Sequence, residues 1–116
     1  MKEGNMFAGD RRQRERVRVS LDACWEGLTA QCGGLVVDLS ETGCFILTSD
    51  RVVARETVRL ELRPAWGGRV YVWGEVVYQV AEMGFALRFI QGGEDLTPLT
   101  RLIERLRDGR YAEAVA

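Results

Sequence analysis

From Val17 to Trp25 the odd positions are apolar (Val17, Val19, Leu21, Ala23, Trp25) and the even ones mostly polar (Arg18, Ser20, Asp22, Glu26 beyond). Strict alternation over nine residues predicts a strand with one face buried and one in water. A bend at Gly27 and a turn at Gly33-Gly34 follow, then a short strand over Leu35 to Asp38. Gly43 precedes another, Cys44 to Thr48. Val58, Leu60 and Leu62 alternate with Arg59, Glu61 and Arg63, which predicts a fourth strand. Pro64 to Gly68 reads as a turn. Val70, Val72, Val76, Tyr78 and Val80 fall on one face of a long strand, with Gly74 as the place for a bulge or bend. The last strand opens at Gly84, has Phe85, Leu87 and Phe89 inward, and ends at Gly92-Gly93.

The period then changes. Leu96, Leu99, Ile103 and Leu106 recur at three, four and three residues, with Leu102 beside them, which is the stripe of a helix. Thr97 is the expected N-cap with Pro98 in the first turn, and Gly109 the expected stop. The pattern therefore predicts an all-β chain with small α content: five or six antiparallel strands, then one helix. A small barrel leaves no unpaired strand edge, and its open end, or a second subunit, gives the helical stripe something to cover.

Size and composition change this picture little. The 116 residues, 47% apolar and 28% charged, suit one soluble domain. No apolar run reaches membrane-spanning length, and residues 1–10 lack the apolar stretch of a signal peptide, so the expected compartment is the cytoplasm. The domain reading is a flexible leader over 1–10, a binding domain over 11–108 and a tail over 109–116. Cys24, Cys32 and Cys44 have no C-x-x-C spacing and the chain has no histidine, so the cysteines read as small hydrophobes and no metal site is expected. Without histidine no Ser-His or Cys-His nucleophile can form. The chain reads as a binding protein, not an enzyme.

Charge changes the picture more. Five arginines and one acid lie between Arg11 and Arg18, an excess of four positive charges, on a chain whose net charge is −1. A localised excess suits an anionic ligand. The segment Arg11-Arg12-Gln13-Arg14-Glu15-Arg16 contains R-x-x-x-R, with Arg12 and Arg16 four apart. About twenty residues on, Asp38-Leu39-Ser40-Glu41-Thr42-Gly43 spells D-x-S-x-x-G. Arginine binds phosphate bidentately, reads the O6/N7 edge of guanine and stacks on purines. Asp38 can accept from the N1–H and N2–H of guanine, and Ser40 can offer a hydroxyl to phosphate. Gly43 suits a tight turn at positive φ. Each motif alone is the composition of a solvated tail or of an Asx turn. Their order and spacing make a site for guanine plus phosphate.

With these residues the sequence resembles the PilZ domain family. Arg12 and Arg16 match its R-x-x-x-R, and Asp38, Ser40 and Gly43 match its D/N-x-S-x-x-G. Gly74-Glu75-Val76-Val77 and Gly84 to Phe89 resemble its late strands, and the likeness spans roughly residues 11–108. It implies a six-stranded antiparallel PilZ-type β-barrel with a C-terminal α-helix. It also implies a bacterial receptor for cyclic di-GMP without a further cofactor. Arg12 and Arg16 would then grip phosphates and guanines, Asp38 and Ser40 would complete the contacts, and Gly43 would shape the loop. Arg11, just before the first motif arginine, would stack on a guanine and favour a ligand pair. Val17 stands where the family commonly has a bulkier side chain.

The expected activity is that of a small adaptor. Ligand would order the arginine arm and change a surface offered to a downstream protein, as monomer or homodimer, with no membrane insertion and no DNA or RNA partner. Motility, biofilm and exopolysaccharide control are the pathways that the resemblance makes available. Two rivals differ in class. One is a barrel that docks on motility or secretion machinery without nucleotide. The other binds single-stranded nucleic acid through the arm and exposed aromatics such as Tyr71 or Trp73. Trp25 and Trp66 read as core or rim. Trp73, opposite Val72, is either exposed or covered by another element.

Overall fold

The computed structural model describes residues 16–27, 31–90 and 95–115. The expected leader over 1–10, Arg11, Arg12 and the Gly92-Gly93 stop lie outside these. The strands are β1 (Val17–Glu26), β2 (Gln31–Leu39), β3 (Gly43–Leu47), β4 (Thr57–Arg63), β5 (Val70–Val80) and β6 (Gly84–Phe89), followed by helix α1 (Thr97–Val115). They close in the order β1-β2-β3-β6-β5-β4, every pair antiparallel. Closure leaves no strand edge open, which is how a chain of this size keeps its backbone groups paired.

The alternating positions fill the barrel as expected. Val17, Leu21, Ala23, Trp25, Val58, Leu60, Leu62, Phe85 and Leu87 are buried. The Trp25 and Phe85 rings meet edge to face, with centroids 5.1 Å apart. Leu99, Leu102, Ile103 and Leu106 join the same core as α1 packs on β1 and β5. The helical stripe therefore covers its own barrel, at roughly 1.5–3 kcal/mol of gross stabilisation for each large aliphatic side chain removed from water.

Several local expectations are corrected. Gly33 and Gly34 are not a turn: they lie inside β2, paired with Cys24 and Ala23. A Cβ on Gly34 would sit 2.6 Å from the Leu47 carbonyl oxygen, so close strand approach accounts for that glycine. Gly74 is not a bulge either, since Val58↔Gly74 and Gly74↔Phe89 are in register. The β5 irregularity falls between Val76 and Tyr78 instead. The extra residue reverses the side-chain parity, so Tyr78 and Val80 leave the core face that alternation assigned them and stand exposed. At the helix start, the Thr97 N–H donates to Asp95 Oδ1 at 3.0 Å, so Asp95 rather than Thr97 supplies the capping oxygen. Gly109 does not stop α1, which continues to Val115. A glycine inside a helix costs only about 1 kcal/mol relative to alanine. The Pro64–Gly68 turn is present, with Gly67 and Gly68 at φ 104° and 85°.

Candidate ligand-binding site

Two bulges turn unlike side chains onto one outer face of the barrel. Between β2 and β3 the register passes from Val36↔Ile46 to Asp38↔Phe45, leaving Val37 unopposed. Asp38 therefore faces away from the core that holds Val36. Between β5 and β6 it passes from Val76↔Leu87 to Tyr78↔Ala86, leaving Val77 unopposed. Since Phe45 pairs with Ala86, the residues Asp38, Phe45, Ala86 and Tyr78 form one continuous cross-strand row over four strands. They line a groove of about 550 Å³. Ala86, the small member, leaves the depression between the Phe45 and Tyr78 rings, whose centroids are 6.2 Å apart.

Arg16 and Asp38 stand at one end of this row. Arg16 Nη1 donates to Asp38 Oδ2 at 3.0 Å. Asp38 Oδ1 is buried and has no hydrogen-bond partner among the described residues. A buried carboxylate oxygen without a donor is costly, and a ligand N–H would satisfy it. Arg88 lines the groove farther along, with Nη2 2.8 Å from Glu75 Oε1. Hydrogen bonding from Arg88 holds the Glu75 carboxyl below its ordinary value, with Arg55 adding to the effect.

The D-x-S-x-x-G segment forms the β2–β3 connection. Ser40 N–H donates to the Gly43 carbonyl at 2.9 Å, and Thr42 C=O accepts from Phe89 N–H at 2.8 Å, which ties the loop to β6. Ser40 is only 1% exposed. Its Oγ accepts from the Thr42 N–H at 3.2 Å and faces the Gly43 carbonyl at 3.3 Å. The hydroxyl is thus engaged inside the loop, and the nearby Thr42 lines the groove. Gly43 does not have the positive φ expected of it. A Cβ there would lie 2.3 Å from the Leu87 carbonyl oxygen, so β3 can approach β6 only with glycine at this position. Cys44 lies beneath the groove. Burial, and secondarily the Asp38 charge, push its thiol well above its ordinary value.

Of the six residues expected to form the site, Arg16, Asp38, Ser40 and Gly43 come together here, while Arg11 and Arg12 lie outside the described residues. Sequence reasoning missed Phe45, Tyr78 and Arg88. Alternation in β6, with Phe85, Leu87 and Phe89 inward, already pointed Arg88 outward, but strand order was needed to bring it to the groove that Asp38 lines. Among the described residues no cluster of three or more metal-binding side chains occurs, and no helix is long and apolar enough to cross a membrane.

A model of the PilZ domain matches residues 10–106. Solved structures that share the fold include the following three. The PilZ domain of CeSA from a cellulose-synthesizing bacterium superposes with a TM-score of 0.67 at 14% identity, covering 80% of this chain and 98% of that one. The Bacillus subtilis inhibitor of motility, MotI/DgrA, gives 0.64 at 20% identity, over 84% of this chain and 52% of that protein. The Borreliella burgdorferi PlzA protein, solved in complex with c-di-GMP, gives 0.55 at 16% identity, over 76% and 38%. No curated protein matches the sequence.

Proposed function

This chain belongs to the PilZ domain family, and on that premise we propose that it is a cytoplasmic receptor for cyclic di-GMP that acts as an adaptor without catalysis. The observation that carries the reading is the Arg16–Asp38 pair at the end of the groove, with Asp38 Oδ1 buried and unpartnered. Guanine presents two adjacent N–H donors, and an ionised carboxylate only accepts. Asp38 takes that edge while Arg16 turns to phosphate or to the O6/N7 edge.

The groove supports the rest of the ligand. Its volume lies in the range of small-molecule sites, and the Phe45 and Tyr78 rings offer faces for a base. Arg88 adds a second cation against the phosphates. Arg11 and Arg12 reach the ligand from the segment before Arg16, with Arg11 stacking on a guanine. Ser40 and Gly43 act mainly by shaping the loop. A messenger switches a receptor only if it favours one state. Drawing the arginine arm onto the barrel supplies that difference and alters the surface shown to a downstream protein.

Isothermal titration with cyclic di-GMP, against GTP and cyclic di-AMP, tests this directly. Selective saturable heat is the expected result, and the molar ratio reports one ligand or a stacked pair. No heat with any of the three overturns the receptor reading and favours a barrel that docks on proteins without nucleotide.

A further inference from the structure

On a different part of the barrel, the Pro64–Gly68 turn and α1 enclose a cleft of about 230 Å³ that shares no lining residue with the groove. Arg69, Arg101 and Arg105 line it, over Trp66, Pro98 and Leu102, and among the described residues no acidic side chain does. The Arg105 guanidinium lies 4.0 Å above the Trp66 ring, which is still 39% exposed. Gly67 and Gly68, both at positive φ, border its mouth, and a Cβ on either would meet nothing within 4 Å.

We propose that this cleft is a docking site for an acidic segment of a partner protein, one that carries carboxylates beside an apolar side chain. Among the described residues the cations here outnumber the acids that pair with them. Glu61 serves two guanidinia at once, at 2.6 Å from Arg69 and 3.0 Å from Arg63. Arg101 and Arg105 stand at i and i+4, a spacing that sets like charges against each other and weakens an isolated helix. Asp95, the acid that feels Arg101, is held by the Thr97 N–H it caps. Glu104 and Asp108 are exposed and do not line the cleft. A partner carboxylate between Arg101 and Arg69 relieves this repulsion with bidentate hydrogen bonds. An apolar neighbour then rests on Trp66 and Pro98.

A protein segment fits better than the other anions. The cleft is smaller than the range typical of small-molecule sites. A polynucleotide would meet a chain that carries four net negative charges beyond Arg18. Tryptophan and arginine are the residues that most often dominate protein interfaces. The assignment does not require nucleotide binding; if the chain is a receptor, this is an output surface.

A random peptide library displayed on phage, panned on the whole protein with and without cyclic di-GMP, tests the proposal. The enriched peptide is then titrated by fluorescence anisotropy against wild type, Arg101→Glu and Trp66→Ala. Among the described residues Arg101 makes no hydrogen bond or ion pair, its charge acts only on Asp95 at the helix start, and a thermal melt checks that Arg101→Glu remains folded. Acidic sequences with an apolar residue are expected, with affinity falling about tenfold or more in both variants. Cyclic di-GMP titration of the same variants should be unchanged. Loss of nucleotide binding in wild type with peptide binding retained would sink the receptor reading and leave this one standing. No enrichment, or enrichment of peptides indifferent to Arg101→Glu, overturns it. So does an Arg101-dependent affinity for a labelled oligonucleotide, or self-association that Arg101→Glu abolishes, each of which reassigns the cleft.

Discussion

Asp38 and Tyr78 face the same groove because each follows a one-residue bulge, at Val37 in β2 and at Val77 in β5. Simple alternation puts Tyr78 on the face of Val72 and Val76, in the core; the bulge leaves it 55% exposed. The two placements predict different energetics for Tyr78→Ala. A core tyrosine cut to alanine costs about 3–5 kcal/mol, as for other large aromatics. A groove residue costs little stability but loses base stacking, about 1–3 kcal/mol of affinity. We expect a urea midpoint close to wild type and cyclic di-GMP binding weakened roughly tenfold or more. A large stability loss would return Tyr78 to the interior.

The Arg16–Asp38 pair calls for two substitutions. Arg16 is more than half exposed in this pair, so breaking it costs at most about 1 kcal/mol of stability. Hydrogen bonds to charged groups are worth about 1.5–3 kcal/mol, so Arg16→Ala and Asp38→Ala should each weaken cyclic di-GMP binding by about tenfold to a hundredfold. Titration calorimetry beside urea denaturation separates the two effects. Normal affinity in Asp38→Ala would remove Asp38 from the site.

Much of the fold was legible because alternation and burial coincide. Val58, Leu60 and Leu62 are all fully buried, and the helical set Leu99, Ile103 and Leu106 is buried as well. Arg16, Asp38, Ser40 and Gly43 were legible as motif residues. What alternation could not convey was where it breaks. A bulge adds one residue without any composition signal, and Val37 and Val77 each sit in an apolar run that reads as continuous strand. Glycine misled for a related reason. Gly33, Gly34 and Gly43 looked like turn or positive-φ positions. Gly34 and Gly43 instead mark where strands approach too closely for a Cβ, which depends on a neighbour distant in sequence. Arg88 was legible as outward but not as a residue of the groove that Asp38 lines, because β6 lies beside β3 only through the barrel order.

Gly43→Ala tests that last reading of glycine. The added Cβ would meet the Leu87 backbone oxygen, and a backbone atom cannot rotate aside. Overpacking of this kind costs about 1–3 kcal/mol. The variant should show a clearly lowered melting temperature, and any loss of ligand binding should follow that loss of fold. A stable Gly43→Ala protein that fails only in binding would instead mark Gly43 as a direct ligand neighbour.

Ser40→Ala should also act through structure. Its buried Oγ accepts from the Thr42 N–H and faces the Gly43 carbonyl, so removal leaves a backbone donor unpaired, at about 1–3 kcal/mol. Ser40→Thr retains the hydroxyl but adds a methyl in a closed space, and should not fully rescue. Denaturation midpoints for the three proteins, with cyclic di-GMP titrations at a temperature where all are folded, distinguish loop shaping from phosphate contact. Unchanged stability in Ser40→Ala with abolished binding would favour the phosphate role.

Glu75 and Cys44 each add a pH dependence to stability, on the acid and the alkaline side. Glu75 has its carboxyl lowered from 4.5, first by the hydrogen bond from Arg88. A lowered folded value means stability that is present above 4.5 and lost as pH falls through the folded value. Arg88→Ala removes the main cause. Its stability deficit relative to wild type should be constant above pH 5 and shrink below about 4.5 as Glu75 protonates in both proteins. The Cys44 thiol is raised from 9.0, chiefly by burial. The folded state holds that proton while the unfolded chain releases it. The Cys44 contribution should be flat below 9.0 and fall as pH rises above it, and Cys44→Ala should lessen that fall. The same burial keeps the thiolate scarce at neutral pH, so Cys44 should resist a thiol reagent until urea opens the barrel, while half-exposed Cys24 reacts in the folded protein. Peptide mapping after pulse alkylation reads both sites, and rapid labelling of Cys44 without denaturant would mean that the floor of the groove opens in the native state.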